Sequence, residues 1–159
     1  MGRLRPGGAF MGPETGGANP VRSMLKSKIH RARVTDANLG YEGSITLDQD
    51  LMEAADLLEY EMVHVLDVDN GSRLQTYVIR GGRGTGEVVI NGAAARLVQR
   101  GDLVIILAYA TLSEAEARTC VPKLVYVDGE NRIVRRVPAG EEPATAAVRT
   151  GGNHGTHNH

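Results

Sequence analysis

The chain has 159 residues, enough for one domain with a real core and too few for two comfortable ones. Its 18 Lys and Arg stand against 19 Asp and Glu, and a net charge of -1 excludes nucleic acid as the main partner, because phosphate binding draws on clustered positive charge. The longest apolar run, Leu103 to Ala110, is far short of the roughly 20 residues of a membrane-spanning helix, so no membrane partner is expected.

Residues 1–23 hold six of the 20 Gly and three of the six Pro. Arg3 and Arg5 have no apolar stretch behind them, so this segment does not read as a secretory signal. It is expected to be a flexible extension, as is the tail from 138 to 159, because neither buries enough apolar surface to offset its ordering entropy. The folded unit is expected over residues 24–137. Within it, strands are predicted at Lys26–Thr35, Ser44–Leu47, Met62–Val68, Leu74–Ile79, Glu87–Ile90, Leu103–Leu112, Leu124–Val127 and Ile133–Val137. Asn70-Gly71, Asn91-Gly92, Gly101-Asp102 and Asp128-Gly129 supply turns between them. Asn70-Gly71 predicts a type I′ hairpin, which takes positive φ at both central residues.

Two short helices interrupt the strands. Leu51, Ala54, Ala55 and Leu58 form one apolar stripe, with Asp48 or Asp50 as cap. Ser113 and Glu116 have the spacing of a capping box. The fold class is therefore mainly β, a closed or nearly closed barrel with one or two short helices. Cys120 is the sole cysteine, so no intrachain disulfide forms, which accords with a cytoplasmic location.

Taken one at a time, the polar candidates are ordinary. Lys28 and His30 share one strand face, and Arg73, Thr76 and Tyr77 follow the hairpin; an outer barrel face would hold such residues. The glycine-rich stretch from Gly81 to Gly86 lacks the P-loop ending and reads as a loop. His154, His157 and His159 lie in the tail without the fixed geometry a metal requires, so no metal is expected. Gly43-Ser44 is the one pair with distinctive chemistry. The Ser44 hydroxyl could attack the Gly43 carbonyl, and a glycine there can take a strained backbone conformation. Ester formation, elimination and hydrolysis would convert Ser44 into a pyruvoyl group. Spacing alone does not establish this.

In Lys28-Ile29-His30-Arg31, Tyr41-Glu42-Gly43-Ser44, Asp48-Gln49-Asp50, Asn70-Gly71-Ser72-Arg73 and Thr76-Tyr77, the chain bears a likeness to the aspartate 1-decarboxylase family, which it resembles. The likeness continues through Val89 to Ala95, Gly101 to Ile106 and Glu116-Ala117-Arg118. Order and spacing match across most of residues 24–128. The resemblance implies a double-psi β-barrel, a homotetramer, and a pro-protein cut between Gly43 and Ser44. The covalent pyruvoyl cofactor would come from Ser44 and decarboxylate L-aspartate to β-alanine through an imine, supplying pantothenate and coenzyme A synthesis. Cleavage is either spontaneous or assisted by a maturation factor.

By the same resemblance, Tyr77 is the proton donor, and Thr76 serves processing and substrate binding. Asn91, Gly92, Ala93 and Ala94 lie at the substrate, with Lys28, His30 and Arg73 around its carboxylates. Tyr41, Ile79 and Ile105 lie near the pocket. Leu66 departs from members with Trp there. An early start codon, with Met24 also available, would account for the extension. An uncleaved barrel serving as a binding module, and a pyruvoyl enzyme acting on glutamate, are the alternatives.

Overall fold

The computed structural model describes residues 19–40 and 42–138. Most of the expected N-terminal extension, the tail after Pro138 and Tyr41 lie outside the described residues. In chain order come β1 (Val21–Arg33), β2 (Asp36–Asn38), β3 (Ser44–Leu47), α1 (Gln49–Ala54), β4 (Met62–Asp67) and β5 (Arg73–Arg80). Then follow β6 (Val88–Asn91), a 3-10 turn (Gly92–Arg96), β7 (Leu103–Ser113), α2 (Glu114–Thr119), β8 (Lys123–Val127) and β9 (Ile133–Pro138). The strands hydrogen-bond in the order β2-β6-β3-β5-β4-β7-β1-β8-β9.

The fold is mainly β, as expected, and its sheet is mixed. β1 runs parallel to β8, β2 to β6 and β3 to β5; the other neighbours are antiparallel. The sheet rolls around one core. Alternating residues from distant strands meet there: Ile29 of β1, Ile45 and Leu47 of β3, Val63 and Val65 of β4, Val78 of β5, Val88 and Ile90 of β6, and Ile106 of β7. This mixed, rolled arrangement accords with the double-psi barrel expected from the resemblance.

Several local expectations need correction. β1 starts at Val21, ahead of Lys26, because the long β7 gives Val21, Arg22 and Ser23 ladder partners, and Arg22 makes a forked ion pair with Glu114. β2 has no usable periodicity and was not foreseen. α1 ends at Ala54, so Leu58 falls outside the buried stripe and is 71% exposed. Asp56, with φ 54, turns the chain out of the helix. Asp48 is the cap: its carboxylate accepts the Asp50 N–H. The same carboxylate accepts the N–H groups of Gly84 (3.0 Å) and Gly86 (2.8 Å), which ties the glycine-rich loop to the end of β3. The capping box at Ser113 and Glu116 is present.

β4 and β5 form the expected hairpin, but its turn is not type I′. Only Gly71 has positive φ. The buried Asp67 carboxylate accepts the N–H groups of Asp69 (2.8 Å) and Asn70 (3.2 Å), and its backbone N–H reaches Ser72 O. That builds a longer loop in which Asn70 need not go left-handed. Asp67, Asp69 and Asp102 each bring an oxygen within 4.8 Å of the others. Burial and the contact with Asp102 push the Asp67 carboxyl up, while the contact with Asp67 holds Asp102 down. Burial and the neighbouring carboxylate thus favour the protonated form of Asp67 and the charged form of Asp102.

A carboxyl with a raised value stabilises the fold below its unfolded value, and that contribution is lost as pH rises through the raised one. The lowered Asp102 behaves oppositely, losing its contribution only as pH falls through its lowered value. Asp67→Asn can donate to Asp102 while keeping its acceptor toward Asp69 and Asn70. We expect this variant to melt higher than wild type at pH 8, with the gap closing toward pH 4. Thermal melts across that range check it, and a lower melting temperature at pH 8 would refute the upward push on Asp67.

Candidate active site

Ser44 opens β3, between β6 and β5. Ile45 and Leu47 point into the core, so alternation turns Ser44 and Thr46 to the outer face of the sheet. Ser44 is in register with Asn91 of β6. The Asn91 amide Nδ2 donates to Ser44 Oγ at 3.0 Å and to Thr46 Oγ1 at 3.1 Å. The Ser44 hydroxyl points at Glu42 O, at a long 3.5 Å. On β5, Val78 is in register with Ile45 and buried, which leaves Tyr77 and Ile79 on the outer face beside Ser44 and Thr46. Glu42, Ser44, Thr46, Tyr77, Ile79 and Asn91 line one cavity of about 500 Å³.

That cavity can hold a small polar substrate. It offers a nearly buried hydroxyl, a phenol and a carboxamide already oriented by two acceptors. Gly43 is exposed and its φ is not left-handed. A Cβ at Gly43 would meet nothing within 4 Å. A ketone at position 44 fits the site: it would face the open cavity, with the Asn91 donor alongside.

The structure thus brings Gly43, Ser44, Tyr77 and Asn91 together. The other sequence candidates lie elsewhere in the single chain. Thr76 is in register with the core residue Val63, so it faces away from Tyr77. Arg73 is exposed on the outer face, four residues along β5 from Tyr77, or about 13 Å at strand rise. Lys28 lies on β1, and β4 and β7 separate that strand from β5, a span of about 14 Å at ordinary strand spacing. His30 stacks edge-on against Tyr126, with ring centroids 5.4 Å apart. Gly92, with φ 72, and Ala93 and Ala94 form the 3-10 turn after Asn91, outside the lining. Ile105 and Leu66 are also outside it.

Sequence reasoning missed Glu42 and Thr46 as lining residues. Thr46 was recoverable, since it stands two residues from Ser44 on a predicted strand and so shares its face.

Among the described residues no helix is long and apolar enough to cross a membrane. The chain is similar to the computationally designed msDPBB_sym2 protein, at 22% identity over 54% of this chain and 96% of that one; the TM-score of 0.34 adds nothing to the fold described above. A family model described as aspartate decarboxylase matches residues 21–134.

Proposed function

The chain belongs to the aspartate decarboxylase family, a family of carboxy-lyases, and from that premise we propose that it cuts itself between Gly43 and Ser44 and uses the resulting pyruvoyl group to convert L-aspartate into β-alanine and CO₂. The observation that carries the reading is Ser44 itself. It is 5% exposed, opens onto the cavity, and has Asn91 and Tyr77 at that same cavity.

Processing is a rearrangement of the chain's own atoms. Ser44 Oγ attacks the Gly43 carbonyl carbon, the peptide C–N bond breaks, and an ester and a free Ser44 amine result. Loss of the Ser44 Cα proton then expels the Gly43 carboxylate by breaking Cβ–Oγ. The dehydroalanine left behind takes up one water and releases ammonia, which leaves a ketone. The net change consumes one water. Thr76 faces the core in the uncut chain, so serving processing as a donor to the Gly43 oxyanion would take a shift of the chain around Gly43 toward it.

A ketone at position 44 supplies an electron sink for the pair left behind when a carboxylate departs as CO₂. Tyr77 returns a proton to the former Cα; a phenol with a reference pKa of about 10 is a suitable donor to a carbanion. Asn91 orients the substrate from the cavity lining; the backbone at Gly92, Ala93 and Ala94 follows it just outside that lining.

Two substrate carboxylates call for cations. Arg73, Lys28 and His30 are the candidates, yet none of them lines the cavity in one chain. They share the sheet's outer face with Met62 and Tyr109, both exposed large apolar residues. Packing of that face between copies, in the proposed homotetramer, is what would carry the cations to a neighbour's cavity. Arg73→Lys keeps the charge and loses the bidentate fork. We expect about a tenfold fall in kcat/KM with little change in cleavage. Steady-state kinetics check it, and an unaltered kcat/KM removes Arg73 from the site.

The test of the whole reading is the intact mass of the purified protein, followed by a product assay with aspartate and glutamate. Two species covering residues 1–43 and 44–159, and β-alanine from aspartate, are expected. The product would feed pantothenate and coenzyme A synthesis. An unbroken chain that decarboxylates aspartate overturns the proposal; γ-aminobutyrate from glutamate, in preference to β-alanine, overturns the substrate. Appearance of the cut only with a cell extract would identify a maturation factor.

A further inference from the structure

We propose that Thr46 is a positioning residue for self-cleavage, holding the Asn91 amide against Ser44 Oγ through the hydrogen bond from Asn91 Nδ2 to its own Oγ1. The inference rests on the processing reading above and extends it to a residue two positions beyond the scissile bond.

The Asn91 amide nitrogen carries two hydrogens, and both are spoken for on β3. One goes to Ser44 Oγ at 3.0 Å and the other to Thr46 Oγ1 at 3.1 Å. The two acceptors stand at i and i+2, on the one face that strand alternation gives them. Asn91 is 7% exposed, and its register with Ser44 on the neighbouring strand sets its backbone. The remaining freedom is rotation of the carboxamide about its terminal torsion, a broad twofold well with little intrinsic preference. A second acceptor two residues along β3 narrows that well and keeps an N–H on Oγ.

This matters most at one step. During attack, Ser44 Oγ serves as nucleophile and gains little from a donor. During elimination the Cβ–Oγ bond breaks, and Oγ leaves as an oxygen of the Gly43 carboxylate. Negative charge grows on the very atom that Asn91 Nδ2 already contacts. A fixed donor at a developing oxyanion lowers the barrier without reorganisation. Loosening Asn91 should therefore slow elimination more than ester formation, and the ester should accumulate.

Thr46→Val keeps the β-branched shape and removes the acceptor; Thr46→Ser restores a hydroxyl on a smaller side chain. The full chain in each form is purified at intervals after induction and weighed intact, with and without hydroxylamine. Hydroxylamine cleaves the ester, releasing a 44–159 fragment that begins with a serine amine. The product of elimination begins with a ketone and is lighter by one ammonia. We expect Thr46→Val to form the ketone about tenfold more slowly, the size of one ordinary hydrogen bond, while a hydroxylamine-sensitive ester builds up. Thr46→Ser should mature at close to the wild-type rate.

A Thr46→Val chain that keeps pace with wild type overturns this inference alone. So does slow maturation without ester, or slow maturation that serine does not rescue, since either would mark a packing role. Thr46→Ala serves as the second removal variant if valine misfolds, with the same expectations. A wild-type chain that never cuts overturns the processing reading and this inference with it.

Discussion

Ser44→Ala will remain a single chain and release no CO₂ from aspartate. The expected loss is complete because the substitution removes the one oxygen on which both reactions depend. Without Oγ nothing can attack the Gly43 carbonyl, and without the attack no ketone forms. Folding should survive. Ser44 is buried between β6 and β5, alanine is smaller, and its backbone ladder with Asn91 is untouched. The cost is one unmade hydrogen bond from Asn91 Nδ2, about 1 kcal/mol, and Thr46 still holds the other N–H. Intact mass and a CO₂-release assay on the same preparation check the result. Two fragments from this variant would place the cut elsewhere, and an uncut but active variant would remove the ketone from the chemistry.

Tyr77→Phe separates processing from turnover. The ring packs on the outer face of β5 and lines the cavity beside Ser44, and phenylalanine preserves that surface. Cleavage should proceed normally, because the arrangement of Gly43, Ser44 and Asn91 does not use the phenol. Decarboxylation should fall in kcat by about 10² to 10⁴, the usual contribution of a positioned general acid, with KM nearly unchanged. Steady-state kinetics on fully cut protein provide the measurement. A retained kcat would assign the proton to another group, and a block in cleavage would show that the phenol acts earlier.

Much of the fold is legible along the chain because core residues alternate. Ile45 and Leu47, Val63 and Val65, and Val88 and Ile90 each mark a strand and its inward face. What failed to read was set by contacts outside the local window. Asn70-Gly71 looks like a type I′ turn until the Asp67 carboxylate claims two N–H groups and enlarges the loop. The stripe from Leu51 to Leu58 looks continuous until Asp56 turns left-handed. Asp36–Asn38 becomes a strand only because β6 lies beside it. At the site, the Gly43-Ser44 pair supplied its chemistry, but Tyr77 and Asn91 came from family resemblance. Their meeting depends on which strands adjoin β3, and that is a matter of topology. The distance of Lys28 from Tyr77 has the same origin: two intervening strands that no spacing rule reveals.

β1 lies within the sheet, with β7 on one side and β8 on the other. Severing the backbone after Gly43 therefore frees two ends without freeing the piece that carries β1. The mature molecule would be an interlocked pair of polypeptides, held by ladders and core instead of by the lost covalent link. Its cohesion would be hard to undo and hard to regain. Once strong denaturant has parted the pieces, reassembly becomes a second-order encounter, dependent on dilution, and the ketone would have to find its cavity again without the loop that once delivered it.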